Sequence, residues 1–167
     1  MLDLIIKNGA CYIDNNLKDV DIGIENGKIV KIGKLDEEAN KLIDANGLTV
    51  LPGCIDTQTH FREPGSTDTE DLSSGSRAAI VGGITSVFEM PNTNPATTNH
   101  EEFQRKINLA KNRMYCNHAF YFGATPNNQS ELASLKGLEG CCGVKLFAGS
   151  STGTLLVHKE EDIEKVF

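Results

Sequence analysis

No stretch of this chain approaches the roughly 18 consecutive apolar residues that a membrane-spanning helix needs. Its N-terminus, MLDLIIKNGA, has neither the basic flank nor the sustained apolar run of a secretory signal. A concentrated basic patch is also missing: the lysines and arginines are scattered singly among acids and the formal net charge is -7. Such a surface repels phosphate, which speaks against nucleic acid or an anionic membrane as a partner. The five cysteines, Cys11, Cys54, Cys116, Cys141 and Cys142, form no CxxC pair, and an odd number without metal-knuckle spacing reads as reduced thiols in a cytoplasmic protein. Adjacent Cys141 and Cys142 offer metal binding or reactivity as the alternative to the usual behaviour of free cysteine as a small hydrophobe. Neither GxGxxG nor GxxxxGK[ST] occurs, so the phosphate-cradling loops of nucleotide-binding open sheets are excluded.

What is present is the balance of a soluble globular protein, 39% hydrophobic and 23% charged over 167 residues, a length that suits one ordinary domain with a core rather than two large ones. Residues 1–51 read as short strands forming a small β-sandwich unit. LIIKNGACYI is expected to be a strand, DVDIGIENGKIVKIG a hairpin turning at Asn26-Gly27, and KLIDANGLTVLPG a further strand; Asn-Gly supplies the positive backbone angles that a tight I′ turn demands. From residue 52 to 167 the pattern changes to strand, loop and helix in repetition. CIDTQ, ITSVFEM, NHAFYFGATP and GVKLFAG read as strands, with EDLSSGSRAAIVGG, EEFQRKINLAKNRM and SELASLKGLEG as the helices between them. Alternation of this kind predicts an α/β fold with a parallel sheet and right-handed crossovers. Four units followed by EEDIEKVF look like the first half of a (β/α)8 TIM-type barrel, so the chain is expected to be truncated.

In such folds the active site lies at the carboxyl ends of the strands. The first strand ends in Gln58, Thr59, His60 and Arg62, the second in Pro91, Asn92 and Thr93, and the third in Gly123, Ala124 and Thr125. The fourth carries Lys145 and runs into Gly149, Ser150, Ser151, Thr152 and Gly153. A single histidine at a strand end is more often structural than a ligand. Lys145 lies inside a barrel strand, where a lysine is costly unless it is paired, snorkels to the rim or is chemically altered. In the last case a lowered pKa frees the amine to take up carbon dioxide and become a carbamate, an anionic oxygen ligand for metals. Arg62 has a plain alternative in pairing with Glu63 or Glu70, and Asn92 in shaping a turn with Pro91 and Pro95. Together they match a small anionic substrate, since a guanidinium fork fits a carboxylate bidentately and an amide completes the recognition. His100, His118 and His158 read as structural or exposed.

LPGCIDTQTHFREPG, GSRAAIVGGITSVFEMPNTNP and GVKLFAGSSTG together resemble the dihydroorotases of the amidohydrolase superfamily, pyrimidine-pathway enzymes that interconvert N-carbamoyl-aspartate and dihydroorotate. The resemblance covers nearly the whole chain. It implies that His60 is a zinc ligand, that Lys145 is a carboxylated lysine bridging two metals, and that Arg62 and Asn92 clamp the substrate carboxylate. It also implies metal-assisted attack of water on the ring amide carbonyl, in a homodimer or higher oligomer. One position departs from the pattern: the His-x-His that ends the family's first strand is here Gln58-x-His60. A neutral amide oxygen binds zinc poorly compared with imidazole, which leaves one or two metal ions as alternatives. The remaining ligands and the proton-transferring aspartate are expected beyond residue 167, so this fragment alone is expected to be inactive. Two other readings remain open: a non-catalytic dihydroorotase-like subunit that supports aspartate transcarbamoylase, and a cyclic amidohydrolase of the hydantoinase or allantoinase type.

Overall fold

Asn26 and Gly27 take φ values of 51° and 71°, the left-handed pair that reverses a two-residue hairpin without splaying its strands. The hairpin lies in the first of two units into which the chain divides, Met1–Pro52 and Gly53–Phe167, in a computed structural model that describes residues 1–150 and 155–167. In the first unit β1 (Leu2–Lys7), β2 (Ala10–Ile13), β3 (Asn16–Asp19), β4 (Asp21–Glu25), β5 (Lys28–Gly33), β6 (Ala39–Asp44) and β7 (Thr49–Val50) form two sheets, ordered β5-β4-β1-β6 and β3-β2-β7. LIIKNGACYI is therefore two strands rather than one. The chain breaks at Asn8, φ 63°, and passes from one sheet to the other. The break is held by Asp21, a buried carboxylate that accepts hydrogen bonds from the backbone N–H groups of Leu35 at 3.0 Å and Asn8 at 3.2 Å. Leu2, Ile5 and Leu35 supply the small core of this unit.

The second unit is a four-stranded parallel sheet ordered β11-β10-β9-β8, made of β8 (Cys54–Thr59), β9 (Ile84–Glu89), β10 (Asn117–Gly123) and β11 (Cys141–Lys145). Helices α1 (Leu72–Val81), α2 (His100–Ala110) and α3 (Gln129–Ala133) lie between successive strands, and α4 (Glu160–Glu164) follows. Both long helices start where side chains satisfy their orphan amides. Asp71 accepts from the N–H of Ser74 at 2.7 Å while the Ser74 hydroxyl accepts from that of Asp71 at 3.1 Å, a reciprocal capping box. Asn99 likewise accepts from the N–H of Glu102 at 2.8 Å. Leu72, Val87, Phe103, Phe120 and Phe122 fill the core between helices and sheet, and burial of each such side chain contributes about 1.5–3 kcal/mol. β8 is an edge strand of this four-stranded sheet, its residues 54–58 are exposed, and its register against β9 shifts twice.

Candidate active site at the strand ends

The loops that leave the carboxyl ends of the four parallel strands are laced to one another by backbone and amide hydrogen bonds. After β8, the carbonyl of Pro64 accepts from the N–H of Asn94 in the loop after β9, at 2.9 Å. That second loop is tied to β10, where the Gly123 N–H donates to the carbonyl of Thr97 at 2.8 Å, and the Asn128 amide donates to the carbonyls of Thr98 and Gly123 at 2.8 and 2.9 Å. At the end of β10 the Ala124 N–H donates to the carbonyl of Lys145 at 2.9 Å. The polar residues at this rim are thus carried on a connected frame.

His60 is half-buried at the end of β8. Burial of the ring, and then the neighbouring Arg62 charge, hold its imidazole below the ordinary histidine value; a hydrogen bond with the Asn92 side chain acts the other way, and the charges of Lys106 and Lys145 act with Arg62. His60, Arg62, Asn92 and Lys145 thus end or follow three strands of the parallel sheet, β8, β9 and β11, and the imidazole is favoured in its neutral form. Arg62 is exposed, with φ 60°, and does not pair with Glu63. The Glu63 carboxylate instead receives Arg113 bidentately at 2.7 and 3.0 Å and the Leu72 N–H at 2.9 Å. Lys145 is half-buried with Nζ 5.0 Å from the ring centroid of Phe147, a cation–π distance. Gln58 is exposed, and its backbone N–H donates to Asp56. Ser151, Thr152 and Gly153, expected at the end of the fourth strand, lie outside the described residues. His100, His118 and His158 are all exposed.

Sequence reasoning overlooked two charged residues next to this rim. Glu89 and Lys106 are 1% and 0% exposed and lie 3.8 Å apart, Nζ to Oε1. Burial drives both toward neutrality, raising Glu89 and lowering Lys106 to about 8, while their mutual attraction opposes it. A signal for them was present in the pattern. Lys106 falls on the same helical stripe as Phe103, Ile107 and Ala110, and Glu89 shares the strand parity of buried Val87, so each breaks an apolar face with a charge of opposite sign.

Strand-end loops joined over a parallel βα sheet define the class: an α/β scaffold with its polar groups at one rim. The sequence model of the amidohydrolase family matches residues 49–154, and the chain belongs to that family. It is 41% identical to a dihydroorotase of Methanosarcina mazei over 167 residues, covering 99% of this chain and 36% of that protein. It is equally 41% identical to an allantoinase of Salmonella choleraesuis over 149 residues, covering 89% of this chain and 33% of that one. Among solved structures, the L-hydantoinase (dihydropyrimidinase) of Arthrobacter aurescens superposes with a TM-score of 0.89 at 30% identity, covering 99% of this chain and 38% of that one. The chain thus spans about a third of the length of the curated relatives it matches, and its parallel sheet is part of an α/β barrel.

Members of this family generally depend on metal ions. Among the described residues no three His, Cys, Asp or Glu side chains converge to hold one. The chemistry of His60 fits a metal ligand, because the neutral imidazole that its surroundings favour is the form that carries a free lone pair. Lys145 fits only as a carbamate, since an ammonium has no lone pair to give.

Proposed function

We propose that the full-length protein is a dihydroorotase, hydrolysing dihydroorotate to N-carbamoyl-aspartate and running the reverse cyclisation, as a homodimer or higher oligomer in the cytoplasm. The observation that supports this reading is that a guanidinium, Arg62, two residues after the half-buried His60, and an amide, Asn92, in the loop after β9, both follow the carboxyl ends of adjacent parallel strands. Dihydroorotate differs from hydantoin and allantoin in bearing a ring carboxylate. A guanidinium free to donate two parallel hydrogen bonds is the group that recognises it, and Glu63, the acid next to Arg62, is already taken by Arg113.

In this reading His60, and Lys145 as its carbamate, hold one or two zinc ions. When bound, zinc supplies Lewis-acid polarisation of the ring carbonyl and lowers the pKa of water. Arg62 and Asn92 bind and align the carboxylate of the substrate at the same rim. Gln58, the poorer ligand, favours fewer ions than an imidazole there would.

The test uses the full-length gene product on a panel of dihydroorotate, hydantoin and allantoin. Preference for dihydroorotate, with Arg62→Ala lowering kcat/KM on it by about a hundredfold and leaving uncharged rings unaffected, supports the reading; a guanidinium–carboxylate pair supplies roughly that much. Preference for allantoin would overturn it in favour of the activity of the equally similar allantoinase. A protein without zinc or turnover that co-purifies with aspartate transcarbamoylase would make it the non-catalytic subunit.

A further inference from the structure

Stability does not account for the buried pair Glu89 and Lys106, because apolar residues of similar volume hold a core at least as well as a buried ion pair. Their hydrogen bonds are more informative. Both oxygens of the Glu89 carboxylate accept from the N–H of Phe61, at 3.1 and 3.0 Å, and Oε2 also accepts from the Thr59 hydroxyl at 3.1 Å. Thr59 and Phe61 are the residues immediately before and after His60. Lys106 reaches in from α2, donates to the Met90 carbonyl at 2.8 Å and lies 5.4 Å from the ring centroid of Phe120. It thereby fixes the strand end from which Glu89 projects, and the Met90 N–H in turn donates to the Thr59 carbonyl at 3.0 Å.

The consequence extends to Arg62. Its φ of 60° is a conformation that side chains other than glycine, asparagine and aspartate adopt reluctantly, and it persists only where the flanking backbone is held. Both flanks are held here by carboxylates: Phe61 by Glu89, and Glu63 through its own bonds to Arg113 and the first N–H of α1. We infer that Glu89, neutralised by Lys106, is a positioning residue that sets the aim of both His60 and Arg62 by holding the Phe61 backbone N–H and the Thr59 hydroxyl, on either side of His60. The inference rests on the reading of His60 as a metal ligand and Arg62 as the substrate clamp.

Two paired variants of the full-length protein test it. Glu89→Leu with Lys106→Met removes both charges together, so that neither is left buried alone. Glu89→Gln with Lys106→Met keeps a carbonyl acceptor for the Phe61 N–H. The first is expected to fold but to bind zinc about 10–100-fold more weakly, the range for losing a group that orients a ligand, and to exchange the amides of residues 58–65 at least about tenfold faster. The second is expected to stay within about threefold of wild type in both. A folded Leu/Met protein with wild-type zinc affinity and wild-type exchange over 58–65 overturns the inference. If that variant does not fold, Thr59→Val decides, because it deletes the hydroxyl, whose one proton is shared between the carboxylate at 3.1 Å and the Phe88 carbonyl at 3.2 Å, and leaves the Phe61 bonds in place: zinc binding weakened about threefold or more upholds the inference, and unchanged affinity overturns it. If the wild type itself holds no zinc and hydrolyses no cyclic amide, the functional reading fails separately. Exchange over 58–65 in the Leu/Met variant then decides alone, faster exchange upholding the grip and unchanged exchange overturning it.

Discussion

Replacing Gly75 by alanine sets two effects of opposite sign against each other at a position next to the candidate site. Gly75 is buried within α1, and an alanine in a helix interior is ordinarily worth about 0.5–1 kcal/mol over glycine. A Cβ at this position, however, would meet the ring of Phe61 at 2.4, 2.8 and 2.9 Å. Carbon atoms rest about 3.5–4.0 Å apart, so the ring has to retreat by roughly 1 Å. Phe61 cannot yield cheaply: it is buried, and its N–H is bound to both oxygens of Glu89. Overpacking of this kind costs about 1–3 kcal/mol, which outweighs the helix gain and leaves Gly75→Ala destabilised by about 1 kcal/mol. Urea denaturation measures this as a lower midpoint at an unchanged slope. Phe61 adjoins His60, so a shift of this size should also lower kcat/KM of the full-length protein by up to about a hundredfold. In a Phe61→Leu background the clash is relieved and the alanine becomes neutral or stabilising, a coupling that a double-mutant cycle reads directly. A simple gain in stability on Gly75→Ala in the wild-type background would refute the reasoning, because it would mean that the loop carrying His60 moves freely.

Arg113→Met leaves the buried Glu63 carboxylate with one of the three hydrogen bonds described above, that from the Leu72 N–H, and is expected to cost about 2 kcal/mol in chemical denaturation. In metal-free protein, burial and the Arg62 charge keep His60 below its ordinary value of 6.5. The unfolded chain then binds more protons, so stability is full above about 6.5 and falls as pH drops below it. Imidazole NMR shifts followed with pH check this, and Arg62→Met should raise the midpoint. Burial pushes the Cys142 thiol up to about 12, whereas Cys54 is exposed. A thiol reagent at pH 8 should therefore label Cys54 first and leave Cys142 unmodified until the protein unfolds; early loss of Cys142 in peptide mapping would contradict its placement.

Much of this fold was legible because its signals are local. Asn26-Gly27 demands a reversed turn whatever surrounds it, Asp71 and Asn99 cap helices by bonding amides three residues away, and the alternation of strand with helix leaves a parallel sheet as the economical outcome. The candidate rim was legible for the same reason, since His60, Arg62, Asn92 and Lys145 each follow or end a recognisable strand. What escaped sequence reasoning depends on partners far apart in the chain. The break of LIIKNGACYI into two sheets requires Asp21 and Leu35. Pairings such as Glu63 with Arg113, separated by 50 residues, leave no periodic trace at either end. The sequence by itself determined which residues reach the carboxyl ends of the strands, because turn chemistry and periodicity act over a few neighbouring residues. Only the tertiary structure decided that a buried carboxylate, paired with a buried lysine, bonds the Thr59 hydroxyl and the Phe61 N–H on either side of His60, because a charge becomes a structural grip only when packing removes its water and supplies a partner.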